Sequence, residues 1–289
     1  MIKETGIPLD EENWSMIIGP QRNWFDLRLG ELWRYRDLVM LFVQRDFISV
    51  YKQTILGPVW YLIQPLLTTI TFTVIFGNIA SLPTDGLPQF LFYMSGTVVW
   101  AYFADCLNKT SNTFVQNASL FGKVYFPRLA MPVSILISNL ITFAIQLGLF
   151  AAFVIFFMLT GSSVQPNLWL FLVPLLVLMM AGLGLGFGII VSSLTTKYRD
   201  LRFLVTFGVQ LMMYATPVIY PVSSIPERFR WIILANPMTP IVEAFRFAFL
   251  GAGTVDAGHL LYSLGFMLVA VFLGMLIFNR VEQTFMDTV

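Results

Sequence analysis

Side chains able to carry chemistry are few and scattered in this chain. His259 is the one histidine and Cys106 the one cysteine among 289 residues, so neither a metal cluster nor an internal disulfide is expected. The glycines at 182, 184, 186 and 188 invite a phosphate-cradling loop. They lie inside an apolar run, lack a strand-loop-helix setting, and no Gly-x-x-x-x-Gly-Lys-Ser/Thr occurs anywhere. Their small-xxx-small spacing suits close helix packing instead. Asp105 is the one carboxylate inside an apolar run, and Glu227 and Asp256 have no evident partners. Acid/base catalysis needs a positioned titratable group, and ion-coupled pumps need buried carboxylates or histidine along their path. The inventory disfavours both.

What the apolar runs hold in quantity is rings. Phe, Tyr and Trp make 16% of the chain. Trp60, Tyr61, Phe72 and Phe76 in one run, with Phe203, Phe207 and Tyr214 in another, recur at helix-face spacings. Flat rings with polar tips suit the C–H faces of sugars and let a polymer slide, because no single hydrogen bond fixes its register. The plainer reading is anchoring in lipid.

A polar interruption, Asn117 to Pro132, carries a second candidate. Asn117 is a good N-cap, Leu120, Phe121 and Val124 share a helical face, and Pro127 stops the helix after two turns. Lys109, Lys123 and Arg128 place this loop in the cytoplasm by the positive-inside rule. An apolar helix shown to water needs a partner surface; the alternative is a loop packed back on the membrane interface.

The elements that position these groups follow from composition. A chain 57% hydrophobic and 11% charged is a polytopic membrane protein. Its net charge of +1 gives no pull on nucleic acid. The first stretch is charged and broken by Pro8, Gly19 and Pro20, so no cleaved signal peptide is expected. Six apolar runs are long enough to cross, at about 56–78, 90–107, 132–160, 168–194, 202–220 and 260–279. Fourteen of the 17 Lys and Arg fall in 1–55, 108–131 and 195–202 and at Arg280. The other three are Arg228, Arg230 and Arg246. Both termini are therefore expected in the cytoplasm.

The predicted fold class is all-α: six transmembrane helices, an N-terminal amphipathic interface helix, and a re-entrant helical hairpin between the fifth and sixth spans. The N-terminal part is 1–55, the membrane domain 56–280, with the cytoplasmic loop at 108–131 and the external hairpin at 221–258. The tail is 281–289. Along 29–53, Arg34, Arg45, Ser49 and Lys52 oppose Val39, Val43, Phe47 and Val50, as in a helix lying in the interface. Such a helix either anchors the chain or gates it. In 221–258 two apolar pieces too short to span are punctuated by Pro226, Pro237 and Pro240. Glu243 and Arg246, three apart, can pair there, and with Trp231 they are expected to form a lid over an exit.

Tyr51-Lys-Gln-Thr-Ile-Leu-Gly-Pro-Val-Trp60, with Gln64-Pro65-Leu66 after it, resembles the approach to the first span in permeases of polysaccharide-exporting ABC transporters. So do Phe121-Gly-Lys-Val-Tyr-Phe-Pro-Arg128, Lys197-Tyr-Arg-Asp-Leu201 and Asn236-Pro-Met-Thr-Pro240, in that order. Val50 departs from the pattern, where relatives often carry a basic residue. The resemblance implies a half-transporter in the bacterial inner membrane. Two copies would form the channel, and two separate ATPase subunits would hold ATP and Mg; this chain itself would need no cofactor and catalyse nothing. The cargo would be a lipid-linked polysaccharide such as O-antigen, capsule or teichoic acid.

On this resemblance the coupling residues would be Asn117, Leu120, Phe121, Lys123, Val124, Tyr125 and Arg128, with Lys197, Arg199 and Asp200. Trp60, Tyr61, Phe72, Phe76, Phe207 and Tyr214 would line the path, and Arg34, Arg45, Tyr51 and Lys52 the cytoplasmic entrance. Partners would be a second copy, the ATPase, the glycan and membrane lipid. Two alternatives remain open: an ABC permease for a drug or small lipid, and a membrane-embedded glycan transferase or polymerase.

Overall fold

The computed structural model describes residues 29–52, 55–117, 120, 126–195 and 200–285. Every regular element among them is helical. For apolar runs of about 20 residues the helix is the form that satisfies every backbone group within its own segment, as hydrocarbon demands of an unpaired chain. Two short helices lead, α1 (Leu29–Arg34) and α2 (Arg36–Tyr51). A 3-10 turn at Gly57–Val59 opens α3 (Trp60–Phe72), which runs on as a wider π-helical stretch, Thr73–Ile79. α4 (Gln89–Ser111), the short α5 (Thr113–Gln116) and α6 (Ala130–Leu159) follow. α7 (Val173–Thr195) is preceded by a 3-10 turn at Leu168–Leu172. The chain continues through α8 (Leu201–Tyr214), α9 (Glu227–Ala235), α10 (Met238–Leu250) and α11 (Ala257–Phe285).

Five helices are long and apolar enough to cross a bilayer: 57–79, 89–111, 130–159, 168–195 and 257–278. The expected fifth span, 202–220, differs. Its helix is α8, 14 residues, or about 21 Å at about 1.5 Å per residue against about 30 Å of hydrocarbon. Pro217 explains the stop, because the residue before a proline is pushed out of helical geometry. Thr216 to Ile219 then pass through the interior as turns. α9 and α10 together meet the same test of length and apolarity but bend by 96° at their break, so the described crossings number five, or six if this bent pair is one of them.

α4 is the central pillar. Of its most apolar stretch 78% is buried, against 11% for the segment containing α3. α3, α6, α7, α8 and α10 pack around it, and α11 lies on the far side of α7. The glycine run makes this possible by facing two ways. A Cβ at Gly184 would stand 2.6 Å from Cys106 Cβ and one at Gly188 2.6 Å from Thr110 Cβ, both on α4. At Gly182 and Gly186 it would meet Met267 Sδ at 2.5 Å and the Ala270 backbone at 2.7 Å, both on α11. Two interleaved small-xxx-small pairs thus let α7 sit backbone-close to both neighbours.

α2 lies across the start of α6. Val39 and Val43 are buried in that contact while Arg34, Arg45 and Lys52 stay exposed, the sidedness its sequence predicts. The end of the bundle that holds α2, Lys109 and Arg128 is called the basic end below.

Candidate functional site

The candidate surface is built from α3 and α8, both packed on α4 and both largely uncovered. On α3 the exposed residues Trp60, Gln64, Leu67 and Thr71 recur at three-, four- and seven-residue steps, one face of a helix. On α8 Phe203, Thr206, Phe207, Gln210 and Tyr214 do the same. The α8 stripe thus alternates rings with an amide and a hydroxyl, and the α3 stripe sets one ring, Trp60, beside Gln64 and Thr71. An amide or hydroxyl facing hydrocarbon without a partner costs at least about 1–3 kcal/mol, so a lipid-facing stripe of this composition is unfavourable. Gln64, Thr71 and Gln210 were absent from the ring-based selection. Their signal was available as polar residues at helical spacing within apolar runs.

The predicted path residues divide. Trp60, Phe207 and Tyr214 are exposed on these stripes. Tyr61 is half-buried and stacks on Phe47 of α2 at 6.3 Å. Phe72 and Phe76 leave the Trp60 face and close edge-on around Tyr93 of α4, with ring centroids 5.3 to 6.5 Å apart. A polymer sliding along Trp60 would not reach them on the same helix face.

At the basic end, Asn117 closes α5: its side-chain amide donates to the Thr113 carbonyl at 3.0 Å. The helix it is predicted to cap at its N-terminus runs through residues that lie largely outside the described ones. Leu120 is half-buried against a small core of Val39, Phe114, Phe126 and Met131, and Arg128 is buried. Asp200 is exposed, and its carbonyl receives the first amides of α8. Phe121, Lys123, Val124, Tyr125, Lys197 and Arg199 lie outside the described residues. Of the predicted entrance, Arg45 pairs with Asp46 at 2.8 Å, Arg34 and Lys52 are exposed, and Tyr51 is the last residue of α2.

At the opposite end Trp231 is exposed, but Glu243 and Arg246 are interior. Arg246 Nη1 donates to Glu243 Oε1 at 2.9 Å, Nη2 to the Pro217 carbonyl at 2.8 Å and Nε to Ser95 Oγ at 3.4 Å. Its guanidinium lies 3.8 Å over the Phe92 ring. Glu243 Oε2 in turn accepts from the Thr254 amide at 3.0 Å. One buried ion pair thus ties α10 to α4, to the turn after α8 and to the loop before α11. Asn236 holds the bend beside it, donating to Thr216 Oγ1 at 2.8 Å and accepting from the Met238 amide at 3.0 Å. The sequence predicts this i,i+3 pair but places it in an external lid; the fold buries it and makes it a clamp. Among the described residues no group of three His, Cys, Asp or Glu stands together as metal ligands.

Residues 37–250 match the family model described as ABC-2 type transporter. The chain belongs to the ABC-2 transporter family. A Klebsiella pneumoniae protein, "O-antigen export system permease protein RfbA", is 30% identical over 254 residues, covering 87% of this chain and 94% of that one. The Myxococcus xanthus protein of the same name is 27% identical over 262 residues, 90% and 98% of the two chains. "Polysialic acid transport protein KpsM" of Escherichia coli is 23% identical over 250 residues, 84% and 93%. The ABC-2 match spans α2 to α10, and so includes both stripes and the Arg246 clamp.

Proposed function

We propose that this chain is the membrane subunit of an exporter that moves a lipid-linked polysaccharide, of the O-antigen kind, across the bacterial inner membrane. Two copies face each other through the α3 and α8 stripes and enclose the path. Two ATPase subunits dock at the basic end, which is cytoplasmic together with both termini, and bind the ATP and Mg that drive transport. The loops at 117–128 and 197–200 are their seats. Arg34, Arg45, Tyr51 and Lys52 border the cytoplasmic entrance, and the α9–α10 hairpin with Trp231 covers the exit. The membrane domain on this reading is 56–280, flanked by cytoplasmic segments 1–55 and 281–289. No nucleic acid takes part.

The observation that carries this reading is the mixed ring-and-amide composition of the two uncovered stripes. Rings stack on sugar C–H faces, amides exchange hydrogen bonds with hydroxyls, and neither holds a polymer at one register. The names of the similar proteins supply the cargo class. The test is complementation: the chain, expressed with its neighbouring ATPase in a bacterium lacking its own O-antigen permease, should restore surface glycan and co-purify two to two. Purified alone it should hydrolyse no ATP. Drug resistance without surface glycan would favour the small-molecule alternative.

A further inference from the structure

Where α2 crosses α6, beside the ends of α3 and α4, a cavity of about 370 Å³ opens at the basic end. Its polar lining includes Arg45, Asp46, Lys109, Gln116, Asn117 and Ser138, and Met131 and Ile135 form its apolar floor. Lys109 is held there by two bonds, to Asn139 Oδ1 at 2.7 Å and Asp105 Oδ2 at 3.4 Å. An ammonium has three N–H groups, so one remains. Asn139 is itself buried and its other side-chain atom faces Cys106 Sγ at 3.6 Å, which fixes the amide that orients Lys109. Ser138 Oγ is buried and has no hydrogen-bond partner. Arg45 spends Nε and Nη2 on one oxygen of Asp46 and keeps Nη1.

Both carboxylates near the cavity, Asp46 and Asp105, are thus already engaged by its two cations, and one N–H of Lys109 and Nη1 of Arg45 are left as charged donors. A pocket with two charged donors to spare and an apolar floor, at the level where the spans end, calls for an anionic head on an apolar chain. Phosphate oxygens take several charge-assisted bonds at once and fit that description.

We propose that this cavity binds the phosphate or diphosphate head of a membrane lipid, and that Lys109 and Ser138 are its contact residues. The proposal rests on the export reading only in making that lipid the anchor of the cargo. It moves the anionic contact from the exposed Arg34 and Lys52 to a half-open site between α2, α4 and α6.

The test uses the purified full chain in phosphatidylcholine nanodiscs, with farnesyl diphosphate as probe and farnesol and inorganic diphosphate as controls. Wild type should bind farnesyl diphosphate, and Lys109→Gln, which keeps a hydrogen bond to Asn139, should weaken it about tenfold or more. Ser138→Leu, which fills the cavity, should abolish it. A photoactivatable prenyl diphosphate on wild-type protein should label α2, α4 or α6, a readout that needs no variant to fold. Equal binding by all three proteins, or labels confined to other helices, would overturn the proposal. Equally potent competition by inorganic diphosphate would make this a site for a free anion, and equally potent competition by farnesol a site for the hydrocarbon chain; either overturns the lipid-phosphate assignment. The assay contains neither glycan nor ATPase, so its failure and the failure of the export reading are separable.

Discussion

Replacing Arg246 by Met removes the guanidinium and keeps most of its volume. Three things are then left behind in the interior: the Glu243 carboxylate without its cation, the Pro217 carbonyl without its donor, and the Phe92 ring without the charge above it. Breaking one side of a buried ion pair costs about 3–5 kcal/mol, because the remaining charge stays desolvated. Against a total stability of about 5–15 kcal/mol this is roughly a fifth or more. Neutralising both partners, Glu243→Gln with Arg246→Met, leaves no stranded charge, and the glutamine side chain still offers an acceptor to the Thr254 amide. At least half of the loss should return. The chain carries its own reporter: Cys106 is its one cysteine, fully buried where α7 closes on α4. Reaction with a thiol-specific dye during a temperature ramp therefore reads the opening of the central pillar. Arg246→Met should react many degrees below wild type and the double variant in between. A single variant that melts with wild type, or a double that melts no later than the single, would show that the pair does not clamp the hairpin.

The same dye tests the glycine seams: Gly186→Leu, whose first side-chain carbon would stand 2.7 Å from the Ala270 backbone, should lower the melt by the equivalent of about 1–3 kcal/mol or more. Gly148→Ala, which meets open space, should leave it unchanged. Phe121→Asp should stop surface glycan export while membrane insertion persists, since it puts a charge where an apolar anchor is proposed to seat on the ATPase; normal export per inserted molecule would remove the loop from the coupling scheme. Trp60→Ala and Phe207→Ala should each slow export modestly and together nearly stop it, with little change in the thiol melt, because both rings are exposed. A large drop in melt for either would make them packing residues instead.

The spans were legible because bilayer thickness imposes a length that few other segments share. The spans expected at 56–78, 90–107 and 132–160 stand at 57–79, 89–111 and 130–159, and hydropathy with proline sufficed to place them that closely. α8 was misjudged by the same rule: residues 215–219 are as apolar as the helix before them, and hydropathy does not distinguish an apolar turn buried against α4 from a further helical turn. Pro217 was the signal. The Arg246 clamp was half legible, as an i,i+3 pair. That it binds Ser95 and Pro217, 151 and 29 residues away, is a property of the fold alone. The pocket under α2 was less visible still, since its groups come from four helices and each reads singly as a lone polar residue.

The stripes on α3 and α8 show what amphipathicity becomes in a bilayer. In water, an exposed face is polar and a buried one apolar, so periodicity alone separates them. In hydrocarbon the outward face is apolar too, and exposure of Leu67 or Leu211 says nothing about what covers them. The discriminating residues are the few that hydrocarbon penalises. Gln64 and Thr71 fall on one line of α3 with Trp60, and Gln210 on one line of α8 with Phe203, Phe207 and Tyr214, while the Thr206 hydroxyl is already bonded to the Arg202 carbonyl. α6, longer than either, exposes Ile155, Phe156, Met158 and Leu159 at one end, a surface lipid can cover at no cost. On the proposed export reading the contrast turns α6 to lipid, and α3 and α8 to a second copy and the path between the two. Gln64→Leu with Gln210→Leu would make those faces as apolar as α6. If the stripes front a polar path, that variant should insert and fold as well as wild type yet export little; if they front lipid, it should export normally and melt no lower.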